Sequence, residues 1–149
     1  MDLTVRCQFP FAVLQSAGDE AGQDMISRDY SDEDGIILVT ATGTWDEQDV
    51  DRHYDELRRE IFVRRKNGSP ILLLSDVSQA KRQAPAVERR ALWQIERTFE
   101  PGDRVAILVA DADDKNYVRR LLGGAELAAF SSKIAAQMWL LYEGLEAPR

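Results

Sequence analysis

The chain has 149 residues, a length typical of one domain and sufficient to bury a hydrophobic core without a metal or a disulfide. Its formal net charge of −7 disfavours general binding to nucleic acid or to anionic membranes, because phosphate groups repel a negative average field. The single cysteine, Cys7, cannot form an internal disulfide and has no zinc or dithiol spacing around it. We expect no cofactor and no metal.

The N-terminal segment has the pattern of neither a signal peptide nor a membrane span. Its apolar stretch, from Phe9 to Leu14, is short, is interrupted by Pro10 and follows no basic leader. We therefore expect a cytoplasmic protein without membrane insertion. Residues 1–24 are expected to form an extension that adds an edge strand or covers one, and residues 25–149 to form the domain itself.

Strand signals begin at residue 25. Met25–Tyr30 and Ile36–Thr42 are predicted to pair as a hairpin around an acidic turn. Two short apolar runs, Ile71–Leu74 and Val105–Ala110, are predicted to lie in the middle of a sheet, because a continuous apolar run indicates burial on both faces. Residues 128–131 are predicted to be a short last strand.

Four helices are predicted between and after these strands. Asp46, Pro85 and Ser132 suit the first positions of the first, second and fourth helices, and the third runs from about Asp113 to a stop at Gly123-Gly124. The residues expected to share one side of each helix are, in chain order, Val50, Tyr54, Leu57 and Ile61; Ala91, Ile95 and Phe99; Tyr117 and Leu121; and Ile134, Met138 and Leu141. The order β-β-α-β-α-β-α-β-α predicts an α/β fold with a mixed, mostly parallel five-stranded sheet flanked by about four helices.

Four segments carry a family resemblance when they are taken in this order. They read GIILVTATGTWD (35–46), ILLLSDVS (71–78), RVAILVAD (104–111) and AAFSSKIAAQMWLL (128–141). With them the chain resembles the SpoIIAA-like family, relatives of the STAS domains of anti-sigma factor antagonists, and more distantly the SEC14-type lipid carriers. The resemblance implies a small mixed sheet flanked by helices and used for binding rather than chemistry. The SEC14-like kinship implies an apolar cleft beside the sheet.

The chain departs from the STAS pattern at one position that matters for regulation. STAS antagonists present a phosphorylatable Ser or Thr at the start of the helix after the third strand. Here the segment reads Gln83-Ala84-Pro85-Ala86 and contains no hydroxyl group, so the resemblance carries no phosphorylation switch to this position. Ser75 and Ser78 lie nearby and are expected at the end of the strand and in the turn after it.

Acidic and polar residues follow the central strands, at the edge where open α/β sheets usually bind ligands. The carboxylates of Asp111-Ala-Asp113-Asp114 have the chemistry to hold Mg²⁺, as in aspartate-nucleophile phosphatases, but Asp113 and Asp114 also suit the cap and first turn of the third helix, which is the favoured interpretation. The only histidine, His53, is placed near the inward edge of the first helix and has no partner that would make it catalytic. The candidates for a ligand-binding edge are Ser75, Asp76, Ser78, Asp111 and Asp113.

The second helix carries a local positive charge within a negative chain. From Lys81 to Arg97 there are five basic residues and two acidic ones, a net charge of +3 (5 − 2). Helical spacing puts Trp93 on the outer face with arginines around it, a composition typical of interface hot spots and also of a tryptophan lying beneath arginine stems on a solvated helix. The candidates for partner binding are Trp93, Arg89, Arg90, Arg97, Lys81 and Arg82.

Three functions follow in order of preference. The first is a non-catalytic SpoIIAA-like binding module that contacts an acidic protein surface or a second copy of this chain through the region from Ser78 to Arg97. The second is a carrier of a small apolar ligand, a lipid or another amphiphile. The third is a magnesium-dependent, phosphatase-like enzyme that uses Asp111 and Asp113.

Overall fold

The computed structural model describes residues 25–30, 34–122 and 127–142. Within these ranges the elements are β1 (Met25–Asp29), β2 (Ile36–Gly43), α1 (Glu47–Lys66), β3 (Leu72–Ala80), α2 (Pro85–Thr98), β4 (Arg104–Leu108), α3 (Ala112–Leu122), β5 (Leu127–Phe130) and α4 (Lys133–Leu141). This is the predicted order of strands and helices. The predicted N-terminal extension with Cys7 and the predicted stop at Gly123-Gly124 lie outside the described residues.

The five strands form one sheet in the order β1-β2-β3-β4-β5. β1 pairs with β2 in the antiparallel direction, and the other three pairs are parallel. The mixed, mostly parallel sheet is therefore confirmed. The two apolar runs predicted for its middle are β3 and β4, and each has a paired strand on both sides.

β3 is longer than its apolar run predicts, because it continues to Ala80. The neighbouring strand β2 runs alongside it to Gly43, and a shift of register between Thr40 and Thr42 keeps the two strands paired. Ser75 and Ser78 therefore lie within the strand. The expectation that they stand at the strand end and in a turn is wrong.

One face of the sheet packs against α4. Ala136 is fully buried there, and Trp139 contacts Phe130 with 5.6 Å between ring centroids. A small alanine at the contact lets the helix approach the sheet closely. The side that the sequence grouped together, Ile134 with Met138 and Leu141, is the exposed side of α4, with Ile134 70% exposed.

The opposite face packs against α1 and, more loosely, α3. The predicted stripe of α1 is confirmed, since Val50, Leu57 and Ile61 are buried, and Asp46 begins the helix in a capping box with Asp49. α3 contains no buried residue. Its contacts with the core come from Val118 and Leu122, whereas Leu121, which was expected to point inward, is 37% exposed.

α2 is attached to α1 more firmly than to the sheet. Its buried residues are Val87, Gln94 and Thr98, and the last two accept hydrogen bonds from Arg58 of α1 at 2.7 and 3.0 Å. Phe99, at the C-terminal cap of α2, packs into the core of this face. No side chain from within α2 itself belongs to that core. The predicted inner residues Ala91 and Ile95 are only half-buried. α2 therefore leaves space between itself and the sheet.

The start of α2 offers a test of this local structure. Ala84 occupies the cap position with extended backbone angles (φ −64°, ψ 150°) but has no side-chain oxygen to accept a hydrogen bond from the first turn. We expect Ala84→Ser to raise the free energy of unfolding by about 1 kcal/mol, because serine supplies that oxygen. Urea denaturation measures the change, and Ala86→Ser, two residues inside the helix, is the matched control. An equal gain from both variants would contradict the capping argument.

Candidate functional site

A cleft of about 240 Å³ lies beneath α2 and α3, on the face of the sheet that α1 covers. Its floor includes Val39, Ser75 and Ile107, which are direct neighbours across β2, β3 and β4. The side chains that α2 and α3 contribute are mostly apolar and include Ala91, Leu92, Ile95, Tyr117, Val118 and Leu121. The cleft exists because these side chains stop short of the sheet, and it makes them half-exposed.

Polar side chains bridge α2 and α3 along the same cleft. The hydroxyl of Tyr117 donates to Glu88 Oε1 at 2.6 Å, and the guanidinium of Arg82 lies 3.6 Å from the centroid of the Tyr117 ring. Arg82 also reaches Asp114 at 3.8 Å. The hydrogen bond to Glu88, with some help from burial, raises the pKa of Tyr117. The phenol therefore stays protonated and keeps donating at neutral pH.

α1 contributes two polar side chains to the cleft, His53 and Tyr54. His53 is 7% exposed, and its Nδ1 accepts a hydrogen bond from Arg28 Nη1 at 3.0 Å. Burial, and secondarily the positive charge of Arg28, lowers the pKa of His53 from 6.5 to about 4. Burial likewise raises the pKa of Tyr54. Both side chains are therefore uncharged at neutral pH, and their rings meet edge to face with 4.7 Å between centroids.

The structure separates the five candidates for a ligand-binding edge. Ser75 lines the cleft. The side chain of Asp76, the next residue of the strand, accepts hydrogen bonds from the amide and the hydroxyl of Ser78 at 3.0 and 2.6 Å. Asp111 Oδ1 accepts from the amide of Asp114 at 3.0 Å. Asp111 therefore caps α3, which corrects the predicted cap, whereas the predicted place of Asp113 and Asp114 in the first turn is confirmed.

Asp113 is exposed in the first turn of α3. The cleft is lined by Asp114 but by neither Asp111 nor Asp113. Within the described ranges, no three His, Cys, Asp or Glu side chains come together in a way that would hold a metal ion. The predicted carboxylate cluster is thus divided between helix capping, solvent and the wall of the cleft.

The six candidates for partner binding also fall into two groups. Trp93 is 40% exposed, and its ring lies between the guanidinium groups of Arg90 and Arg97, at 4.3 and 4.2 Å from the ring centroid. Arg89 is exposed on the same helix. Lys81 and Arg82 instead line the cleft. Sequence analysis therefore treated as one surface two groups of residues that the structure places apart, one around Trp93 and one at the cleft.

Arg90 has a structural contact in addition to its place beside Trp93. Its Nε and Nη2 donate to the two carboxylate oxygens of Asp51 on α1, at 2.7 and 2.9 Å. These hydrogen bonds, followed by one from Gln94, lower the pKa of Asp51. One of the arginines around Trp93 is thus neutralised locally by a neighbour 39 residues earlier in the chain, a pairing that no local pattern indicates.

Other contributors to the site also escaped sequence analysis. Glu88 of α2 and Tyr117 of α3 meet although they are 29 residues apart, and no spacing in the sequence indicates that contact. Arg28 reaches His53 from a strand 25 residues earlier. The inward position of His53 was predicted correctly from its place beside Val50 and Tyr54. Its neighbours in space were not predictable from local pattern.

Comparison with known proteins identifies the fold. No family model matches the chain, and no curated protein matches it. Among solved structures, it is similar to an uncharacterized DUF3478-family protein with a SpoIIAA-like fold from Shewanella loihica PV-4, with 18% identity, a TM-score of 0.58, and coverage of 78% of this chain and 92% of that one. The chain has a SpoIIAA-like fold.

A second similar structure is an anti-sigma factor antagonist from Mycobacterium paratuberculosis, with 15% identity, a TM-score of 0.50, and coverage of 80% of this chain and 97% of that one. The predicted resemblance to SpoIIAA-like and STAS proteins is therefore confirmed at the level of the fold. The SEC14-like part of that resemblance stays a prediction. No helix in the described part of the chain is long and apolar enough to cross a bilayer.

The buried histidine predicts a pH dependence of stability. Because the pKa of His53 is about 4 in the folded chain and about 6.5 in the unfolded chain, the unfolded state binds more protons as the pH falls below 6.5. Stability present above pH 6.5 is thus lost as the pH falls towards 4, by about 2 kcal/mol between pH 7 and pH 5. The charged groups that face the imidazole are Arg28 and, through its ion pair with Arg28, Glu56.

Chemical denaturation at pH 7 and pH 5 measures this loss. The chain has a single histidine, so His53→Gln removes the only imidazole and should flatten the dependence in this window. A slope that is unchanged in His53→Gln would show that His53 is not the titrating group.

Proposed function

We propose that this chain is a regulatory, non-catalytic binding module of SpoIIAA-like fold that acts through protein contacts, with the outer face of α2 as its working surface. The observation that carries the proposal is the half-exposed Trp93 held between two arginines. The similarity of fold to an anti-sigma factor antagonist supports a regulatory role. We place the protein in the cytoplasm as part of the same proposal.

The geometry around Trp93 suits a partner contact. A ring stacked between Arg90 and Arg97 is already fixed in orientation, so binding costs little side-chain entropy. Tryptophan and arginine are the residue types most enriched among binding hot spots. The ring is large enough to anchor an interface, and its exposed edge is available to do so.

The charge around Trp93 favours an acidic protein surface as the partner. Asp51 pairs with Arg90, but Arg89 and Arg97 have no carboxylate partner among the residues that the structure describes. Two uncompensated positive charges on one helix face of a chain with net charge −7 make this a local site for negative charge. The same negative net charge disfavours nucleic acid as the partner.

Trp93→Ala tests the working surface, and Phe62→Ala is a matched control. Phe62 is an exposed aromatic residue on α1 with Lys66 over its ring at 5.6 Å, so its removal also deletes an aromatic residue beneath a cation. We expect quantitative affinity capture from cells of the source organism to recover a partner with wild type and Phe62→Ala. Trp93→Ala should recover it at least tenfold less, because loss of a hot spot costs about 2 kcal/mol or more.

One outcome of the capture experiment decides against this surface, and one outcome of sedimentation would change its partner. Equal recovery of the same partner by all three proteins would remove Trp93 as the anchor. If wild type and Phe62→Ala instead sediment as dimers at micromolar concentration and Trp93→Ala as a monomer, the acidic partner is replaced by a second copy of this chain.

A second candidate function is carriage of a small amphiphile, and the cleft beneath α2 and α3 favours it. Its lining is mostly apolar with a few polar groups, which is the usual character of small-molecule sites. Its volume of about 240 Å³ is slightly below the range of roughly 300–1,000 Å³ typical of drug-sized ligands. It suits one ring or a short chain rather than a whole lipid.

Native mass spectrometry after gentle purification tests carriage. We expect wild type to carry bound small molecules, and Ala91→Phe to lose them because the added ring fills the cleft from α2. Ala86→Phe adds the same ring at an exposed position of the same helix and should keep the bound mass. Unliganded wild type, or equal retention by both variants, would contradict carriage in this cleft.

A further inference from the structure

We infer that the cleft recognises a small, mostly apolar molecule through an oxygen acceptor, and that His53 donates the hydrogen bond that selects it. This inference rests on the second candidate function, ligand binding in the cleft. It adds the chemical class of the ligand and the residue that recognises the ligand through a hydrogen bond. The juxtaposition that carries it is a buried, uncharged imidazole in the wall of a cleft whose floor and inner helix faces are mostly apolar.

The hydrogen bond from Arg28 fixes which nitrogen of His53 carries the proton. A guanidinium has only donors, so Nδ1 of His53 must be the acceptor in the 3.0 Å contact. A neutral imidazole that accepts at Nδ1 carries its proton at Nε2. His53 therefore presents an N–H donor at Nε2 and has no choice of tautomer while Arg28 stays in place.

That donor has no partner within the part of the chain that the structure describes. His53 makes one hydrogen bond, the one to Arg28, and its other described contact is the ring of Tyr54. The residue is buried, with an exposed fraction of 7%. A buried donor without a partner is costly, and native proteins rarely keep one without a role. An oxygen atom of a ligand in the cleft would satisfy it.

The nearby polar groups are compatible with the same ligand. The hydroxyls of Tyr54 and Ser75 also line the cleft and have no hydrogen-bond partner among the described side chains and backbone. A hydroxyl can either donate or accept, so these two tolerate several ligand groups, whereas the N–H of His53 requires an acceptor. Among these three uncharged groups, His53 is therefore the one that discriminates.

The charge near His53 disfavours a cationic ligand group at the imidazole. Arg28 lies against the imidazole with 16% of its side chain exposed, and its charge is balanced by Glu56. An ammonium group would face both an N–H donor and a guanidinium. The group that the ligand places at His53 is thus an uncharged or anionic oxygen, and the apolar body of the ligand contacts Val39, Ile107 and Ile95.

Two probes of the same shape separate the hydrogen bond from apolar burial. Acetophenone and cumene have the same branched skeleton on a benzene ring, but only acetophenone has a carbonyl oxygen. We expect both to bind tag-free wild-type protein with millimolar affinity, measured by NMR titration. His53→Phe should weaken acetophenone three- to tenfold, the loss expected for one hydrogen bond, and should leave cumene within twofold.

His53→Gln is the matched variant, because its side-chain amide has an oxygen that can accept from Arg28 and an NH₂ group that can donate in place of Nε2–H. It should keep most of the acetophenone affinity. A measurement on wild type makes the test independent of how well the variants fold. The single histidine gives one Nε2–H signal, which acetophenone should move downfield and cumene should not.

The outcomes distinguish the two proposals. If both probes bind but His53→Phe weakens them equally, or if acetophenone leaves the Nε2–H signal unmoved, then the cleft binds ligands and the role of His53 is wrong. If neither probe binds wild type at the solubility limit of the probe, both ligand binding in the cleft and the role of His53 are refuted. The result at Trp93 is unaffected in either case.

Discussion

The hydrogen-bonded seam between α1 and α2 determines the shape of the functional face. Asp51 of α1 accepts from Arg90 and from Gln94, and Arg58 of α1 donates to Gln94 and to Thr98. Gln94 thus both donates and accepts while it is only 2% exposed. A buried amide with both of its ends satisfied tolerates little displacement, because moving it leaves polar atoms without partners. α2 is therefore held by its side, and its apolar residues are left above the sheet rather than on it.

A second polar contact holds the far end of the same helix pair. Arg65 near the end of α1 makes two hydrogen bonds to Asp103, at 2.9 and 2.8 Å, and Asp103 is 4% exposed. The same carboxylate accepts from the amide of Glu100 in the turn between α2 and β4. The ion pair raises the pKa of Arg65, so its charge persists at all ordinary pH values. Together the two contacts fix where α2 ends and how far it stands from the sheet, and this distance is what leaves room for the cleft.

The sequence predicted those features of the fold that depend on local chemistry. Asp46 and Ser132 begin their helices as expected, because a side-chain oxygen at that position accepts a backbone amide in almost any context. The short runs that became β3 and β4 are continuously apolar, and that pattern is typical of strands covered on both faces of a sheet. Order and direction of the strands follow from these elements through general rules of connection.

Features that depend on the choice between two similar faces were not predictable in the same way. In α4, the set with Ile134 and the set with Ala136 both have helical spacing, and hydrophobicity alone favours the larger side chains. The side of α4 with Ala136 faces the sheet because the helix lies close to the sheet. That distance is set only when the helix and the sheet pack together. In α2 the polar pair Gln94 and Thr98 has the pattern of a solvated face, although it is buried against α1. Sequence analysis missed those residues of the site that come together only through contacts between different helices and strands.

α2 carries both proposed surfaces, and this has a thermodynamic consequence. Its outer side presents Trp93, while Leu92 and Ile95 lie over the cleft on its inner side. A ligand beneath the helix would bury these half-exposed side chains and so hold α2 more tightly in its present position. A partner that binds Trp93 while α2 is in this position would then bind a helix that the ligand has already ordered. The conformational entropy lost on partner binding would therefore be smaller. Linkage requires the effect to be equal in the other direction, so a partner on the outer face would strengthen ligand binding by the same factor.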